Sequence, residues 1–107
     1  MSDEILSTIR RLAERDKIAI KKHSALRMHQ RGITIGEVRD ALTSAEIVEE
    51  YREDYPYPSF LILGYTRTKR PIHAVVVIEP FGEVIWVITA YEPDTKEWES
   101  NFRRRKR

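Results

Sequence analysis

The chain has 107 residues, a formal net charge of +2 and no cysteine. This length fits one domain without a second core, which excludes a multidomain enzyme. The lack of cysteine excludes disulfides, thiol catalysis, iron–sulfur clusters and the common structural zinc sites. Because the chain starts with Met-Ser-Asp-Glu and has no apolar run of about 20 residues, we expect a cytoplasmic protein without a signal peptide or membrane span.

Three helices are predicted in the first part of the chain. Apolar residues recur at helical spacing over residues 3–15, which predicts an amphipathic first helix. After a short link, residues 23–31 form a second predicted helix, which Gly32 ends as a left-handed cap. The third helix starts at Thr34, because Thr34 and Glu37 have the spacing of a capping box. Its predicted buried residues are Ile35, Val38, Ala41 and Leu42.

The sequence period then changes to that of β-strands. Four segments are rich in β-branched and aromatic residues: 46–52, 59–67, 71–79 and 83–92. Short connections make the last three strands antiparallel neighbours. The third strand is apolar on both faces, so we expect it to be central.

A short helix is predicted to close the domain. Asp94 and Glu97 have capping-box spacing and precede Trp98 and Phe102. The predicted fold is therefore α+β, with N-terminal helices packed on a four-stranded antiparallel sheet and a short C-terminal helix. We take residues 1–102 as one domain, followed by a basic tail at 103–107.

Charge is unevenly distributed along the chain. Residues 10–31 contain eight Lys or Arg and two acids, whereas residues 37–54 contain seven acids and two Arg. The segment 103–107 is entirely basic. Such blocks are often solvated surface or mobile tails, but they also suit an anionic ligand such as a phosphate.

The second helix has a cationic side. At about 100° per residue, His23, Arg27 and Arg31 lie within about 80° of one another. The apolar residues lie on the opposite arc: Ala25, Leu26 and Met28. This side is either a solvated polar face or an anion-binding stripe, in which guanidinium groups hold phosphate and imidazole transfers protons.

His73 interrupts the most hydrophobic strand. A lone histidine in a strand is often a buried hydrogen-bonding residue, but at the start of a central strand it can also face a substrate. Arg67 and Arg70 lie just across the hairpin before it, and Thr89 and Tyr91 alternate on the next strand. Together these residues predict a polar patch.

Metal and cofactor sites are not expected. His23 and His29 are six residues apart rather than four, and no acid completes a ligand set with either. The sequence also lacks a glycine-rich phosphate loop, a Gly-x-Ser-x-Gly elbow and a dinucleotide-binding fingerprint. We therefore expect no metal and no cofactor.

Four motifs in order resemble a small bacterial family known as domain of unknown function 4258. They are HSALRMHQRGI at 23–33, YPSFLILG at 57–64, RPIH at 70–73 and TAYEPD at 89–94. The chain departs from the family's pattern at Ser24, where alanine is frequent, and at Phe60, where cysteine is frequent. The second departure speaks against a role for a thiol.

The family is distantly similar to the RelE and BrnT toxins, which set N-terminal helices against a four-stranded antiparallel sheet and cut RNA without a metal. The resemblance implies a metal-independent endoribonuclease of toxin–antitoxin type, in which a 2′-hydroxyl attacks phosphorus and leaves a cyclic phosphate and a 5′-hydroxyl. The family's marked positions fall on His23, Arg27, Arg31, His73, Thr89 and Tyr91.

In that mechanism His23 and His73 are the acid and base candidates, without an assigned order. The other catalytic candidates are Arg31, Thr89 and Tyr91. The candidates for RNA or phosphate binding are Arg27, Arg31, Arg67 and Arg70.

Two alternatives to catalysis stay open. One is a binding module that uses the same basic surface for RNA or for an acidic protein such as an antitoxin. The other is a structural or regulatory protein in which both histidines are buried hydrogen-bonding residues. The partners considered are RNA, an antitoxin protein and a second copy of the chain in a homodimer, with no membrane.

Overall fold

The computed structural model describes residues 2–79, 81 and 83–106. The fold is mixed α+β, and none of the described helices is long and apolar enough to cross a membrane. The described helices are α1 (Ser2–Glu14), α2 (Lys22–Gln30) and α3 (Ile35–Thr43). The described strands are β1 (Ile18–Ile20), β2 (Glu46–Tyr51), β3 (Ser59–Tyr65), β4 (Pro71–Ile78) and β5 (Ile85–Tyr91). They form one sheet in the order β1-β5-β4-β3-β2.

β1 lies in the stretch predicted as a link between two helices. Ile18 pairs in parallel with Ile85, and Ile20 with Val87. The prediction of four strands is therefore wrong, because the described sheet has five. Three residues are too few for a strand pattern to stand out, and their partner strand lies near the other end of the chain.

The predicted antiparallel order of the remaining strands is confirmed, with β4 in the middle of the sheet. Alternate residues of β4 face opposite sides, as in any strand. Ala74 and Val76 are fully buried on the side that packs against α1 and α3. His73 and Val75 lie on the opposite side, which we call the outer face of the sheet.

α3 shows how local sequence fixes a helix on the sheet. Thr34 Oγ1 accepts a hydrogen bond from the N–H of Glu37 at 3.0 Å, and Glu37 Oε1 accepts one from the N–H of Thr34 at 2.9 Å. This is the predicted capping box. Gly64 of β3 allows close approach of α3, since a Cβ there would lie 1.9 Å from the carbonyl oxygen of Ala41.

Two apolar residues predicted to pack inward are exposed. Ile35 is the first residue of α3 and is 61% exposed, whereas Val38 is fully buried further along the same stripe. Leu26 is 56% exposed because it lies on the side of α2 opposite Ser24, which is buried against the sheet. The turn after α2 is as predicted, with Gly32 at a φ of +71°.

The C-terminal segment, residues 93–106, forms turns instead of the predicted helix. Asp94 does begin one turn, because its carbonyl oxygen accepts a hydrogen bond from the N–H of Trp98 at 3.0 Å. The chain then reverses, and Trp98 forms an antiparallel bridge with Arg105. Phe102 has a φ of +59°, which a right-handed helix cannot contain.

Two arginines of the predicted basic tail, Arg103 and Arg105, pair with acidic residues of β2. Arg103 donates to both carboxylate oxygens of Glu46, at 2.7 and 3.0 Å. Arg105 does the same with Glu49, at 2.9 and 3.1 Å. The Arg105 guanidinium also lies 4.6 Å from the ring centre of Trp98. Arg107, at the end of the predicted tail, lies outside the described residues.

Candidate functional site

α2 lies along the part of β5 that pairs with no strand on that side. β1 pairs with β5 only as far as Val87. Beyond it, Ser24 Oγ donates to the carbonyl oxygen of Ile88 at 2.9 Å, and Arg31 Nη1 donates to that of Ala90 at 3.0 Å. Because carbonyl groups at a sheet edge need donors, these two side chains attach α2 to the edge of β5.

The orientation of α2 follows from its buried side. Met28 packs in the core and Ser24 faces β5. At about 100° per residue, Arg27 and His23 lie about 60° and 100° around the helix from Ser24, on the side away from Met28. Both side chains are exposed. We call His23, Arg27 and Arg31 the cationic face of α2.

The cationic face has no acidic neighbour on its own helix. α2 contains neither Asp nor Glu. Within residues 2–79, 81 and 83–106, no ion pair involves Arg27 or His23. Arg27 is therefore a charged side chain without a carboxylate partner among these residues.

Arg31 connects the cationic face to predicted site residues on the sheet. Its Nη1 donates to Thr89 Oγ1 at 3.2 Å. Thr89 and Tyr91 are both half-buried on β5, and the Tyr91 hydroxyl lies 3.4 Å from His73 Nδ1. The structure thus brings Arg31, Thr89, Tyr91 and His73 into one row beside α2.

His73 occupies the buried end of this row and has no exposed surface. Its Nε2 lies 2.8 Å from the carbonyl oxygen of Phe102. Since a carbonyl can only accept, Nε2 carries the proton, and Nδ1 is left to accept from the Tyr91 hydroxyl. The ring meets Trp98 edge-on, with centroids 4.5 Å apart.

Burial lowers the pKa of His73 below its ordinary value of 6.5, although the Phe102 hydrogen bond acts in the opposite direction. The ring is therefore neutral at pH 7. A general acid or base must reach the proton that it transfers. In this arrangement the nitrogens of His73 reach the Tyr91 hydroxyl and the Phe102 carbonyl.

Arg70 is engaged in contacts within the protein. Its Nε donates to Glu92 at 2.6 Å, and its Nη1 donates to the carbonyl oxygen of Gly32 at 2.8 Å and to Glu37 at 3.2 Å. The hydrogen bond to Glu92 raises the pKa of Arg70. Two carboxylates neutralise this guanidinium, which fixes the turn after α2.

Arg67 lies apart from the other predicted site residues. Its side chain is 87% exposed, and its nearest acidic partner is Asp40 of α3 at 3.8 Å. It lines a shallow depression with Arg39 and Lys69, on a different part of the surface from the cationic face. Among the described residues, no three His, Cys, Asp or Glu side chains are grouped to hold a metal ion.

An apolar groove next to the cationic face was not predicted. Its floor is formed by Val75, Val77 and Ile88 on the outer face of the sheet, and Tyr55 and Tyr57 line its side. Its volume is about 300 Å³. The sequence signal for it is the Tyr-Pro-Tyr-Pro run, which forms bends with a cis Tyr55–Pro56 bond instead of the extended geometry that its prolines favour, and which leaves both tyrosines exposed.

A family model described as Domain of unknown function (DUF4258) matches residues 20–92. The chain belongs to this family. The match includes α2, α3 and β2 to β5, but neither α1 nor the C-terminal segment that covers His73. No curated protein and no solved structure matches the chain. The similarity to RelE and BrnT toxins therefore stays a prediction.

Proposed function

We propose that the protein binds RNA through the cationic face of α2 and does not itself cut it. The observation that supports this proposal most is the unneutralised charge of Arg27 on a helix without acids. Six other described arginines have a carboxylate partner: Arg39, Arg52, Arg67, Arg70, Arg103 and Arg105. The contrast favours an external anion as the partner of the cationic face.

Binding fits the geometry better than catalysis because of the state of His73. Attack by a 2′-hydroxyl without a metal needs both a general acid and a general base. The ring of His73 is neutral, buried and hydrogen-bonded on both nitrogens. Of the two predicted acid–base candidates, only His23 is exposed to a ligand.

The spacing of the cations suits a phosphate backbone. Arg27 and Arg31 are four residues apart, so their Cβ atoms lie about 5–6 Å from each other along the helix. Guanidinium groups bind phosphate with paired hydrogen bonds, and a row of them matches a chain of repeated negative charges. The hydrogen bonds of Arg31 to Thr89 and Ala90 hold one of these groups in place before a ligand arrives.

The proposal is tested by the salt dependence of binding to a short, fluorescently labelled single-stranded RNA, measured by anisotropy. Each phosphate contact contributes about 0.7 to the slope of log affinity against log salt for a single strand. Arg27→Ala should therefore lower the slope by about 0.7 and weaken binding severalfold at low salt.

Lys69→Asn is the matched control, because it removes the same charge from the β3–β4 turn. Asparagine tolerates the φ of +70° found at Lys69. This variant should bind like the unmodified protein. Equal effects of the two substitutions, or no measurable affinity for RNA, would contradict the proposal.

The same samples also test the catalytic alternative. RNA incubated with the protein in EDTA should remain intact on a denaturing gel. Cleavage that yields a cyclic phosphate and is lost in a correctly folded His23→Ala variant would replace the binding proposal with the ribonuclease hypothesis.

A further inference from the structure

The apolar groove on the outer face has the character of a binding site that nothing in the described structure fills. Tyr55 is 95% exposed, Tyr57 41% and Ile88 47%. Large apolar and aromatic side chains that cluster on a surface mark a binding site more often than scattered ones do. The volume of about 300 Å³ is at the small end for ligand pockets, and suits one planar ring system.

The groove adjoins the cationic face directly. Ile88 forms part of its floor, and the carbonyl oxygen of the same residue accepts the hydrogen bond from Ser24 of α2. Val75, another floor residue, is paired across the strands with Thr89, which Arg31 contacts. The cationic face and the groove therefore meet at Ile88 and Thr89 of β5, so one bound molecule can contact both.

The end of the groove away from α2 carries a negative charge, in contrast to the cationic face. Asp54 lines it, and one of its carboxylate oxygens, Oδ2, accepts a hydrogen bond from Ser59. Among the described residues, the other oxygen, Oδ1, has no hydrogen-bond partner. A carboxylate repels phosphate but accepts hydrogen bonds from amino groups, so the groove is polarised from α2 toward Asp54.

We propose that the groove holds one base of a single-stranded RNA, with its phosphates on the cationic face and its exocyclic amino group toward Asp54. This inference rests on the RNA-binding function proposed above and names its substrate class. Stacking on tyrosine requires an unpaired base, which makes a single strand the preferred ligand over a duplex. An amino group facing Asp54 selects cytosine over uracil, since uracil presents a carbonyl at the same position.

The experiment compares labelled oligocytidine and oligouridine of equal length, together with a duplex of the same length. The unmodified protein should bind oligocytidine at least about tenfold more tightly than oligouridine, a difference typical of one hydrogen bond to a charged group. The duplex should bind more weakly than either single strand.

Substitutions in the groove give the second arm of the experiment. Tyr57→Ala should weaken binding to both oligonucleotides about tenfold through lost stacking, whereas Tyr57→Phe should bind normally. Asp54→Asn should abolish the preference for cytosine, because an amide can also donate to the carbonyl of uracil. Circular dichroism checks that each variant is folded.

The outcomes separate this inference from the function on which it rests. If Arg27→Ala weakens binding but Tyr57→Ala does not, the groove proposal is overturned and RNA binding by α2 stands. If oligocytidine and oligouridine bind equally, the role of Asp54 is overturned. If no RNA binds and the groove instead takes a peptide, both proposals fail.

Discussion

His73 gives the sharpest prediction about stability, because its ring joins the outer face of the sheet to the C-terminal segment. His73→Ala removes the donor to the Phe102 carbonyl, which costs about 1–3 kcal/mol when the acceptor stays buried. It also removes two edge-on ring contacts, with Trp98 and Tyr91, worth about 0.5–1.5 kcal/mol each. The free energy of unfolding should therefore fall by about 3 kcal/mol.

His73→Phe separates packing from hydrogen bonding. Phenylalanine keeps a ring against Trp98 but cannot donate to Phe102, so its loss should be smaller, about 1–2 kcal/mol. Urea denaturation at pH 7.5, followed by circular dichroism and tryptophan fluorescence, measures both variants. If His73 were only a surface residue, neither variant would lose stability.

The pH dependence provides an independent check on His73. Because its pKa is lowered in the folded protein, the proton binds more weakly to the folded than to the unfolded chain. The stabilisation is complete above the unfolded value of 6.5, and it is lost as the pH falls from there through the folded pKa. The nearby charges, Glu49 and Arg105, act in opposite directions, so burial decides the sign.

His73→Phe should lack this loss of stability as the pH falls below 6.5. Glu49, whose pKa is lowered by the hydrogen bond from Arg105, loses its contribution only below its ordinary value of 4.5. The loss due to His73 therefore begins at a higher pH than the loss due to Glu49. An NMR titration showing a His73 ring that is protonated at pH 7 would refute the reasoning.

Four substitutions test how the rest of the fold is held together. Gly64→Ala should lower the free energy of unfolding by about 3 kcal/mol or more, or prevent folding, because its Cβ would meet the Ala41 backbone. Gly36→Ala is the control, since its Cβ would lie 3.8 Å from the nearest atom. It should be neutral or slightly stabilising in the same urea titration. Trp98→Ala should lower the free energy of unfolding by about 3–5 kcal/mol, and a change below 1 kcal/mol would mean that the C-terminal segment does not contribute to the core. Thr34→Ala should cost about 1 kcal/mol through loss of the capping box, measured as a shift of the urea midpoint, and an unshifted midpoint would show that the cap is dispensable.

The parts of the fold that the sequence predicts correctly are those with local signals. The capping box at Thr34 and Glu37, the glycine after α2 and the period of the long strands can each be recognised within a few residues. β1 could not be recognised because Ile18 gains its strand character from pairing with Ile85 near the other end of the chain.

The C-terminal segment shows how a real local signal can mislead. Asp94, predicted to cap a helix, caps a single turn instead, with its Oδ1 accepting from the N–H of Lys96 at 2.8 Å. The turn stops because Trp98 is buried at 2% exposure on the outer face and pairs with Arg105. Pairing and burial across the segment outweigh the weak helical preference of so short a stretch.

The structure brings together only part of the predicted set of site residues, because Arg67 lies apart from it and Arg70 is paired with two carboxylates. The sequence places Arg27, Arg31 and Tyr91 on one side of the molecule, as the structure does. It leaves open whether His73 is buried or faces a ligand, because the answer depends on Trp98 and Phe102 from a distant segment. The groove was missed because its floor and its side come from three separate parts of the chain.

The most direct test of the account is a ¹H–¹⁵N NMR titration of the protein with a short single-stranded RNA. The account predicts chemical-shift changes confined to α2 around Arg27 and to the groove residues around Tyr57 and Ile88. The surface around Arg67 and Lys69 should not change. Shift changes centred on that second surface, or no changes at saturating RNA, would contradict RNA binding by the cationic face of α2.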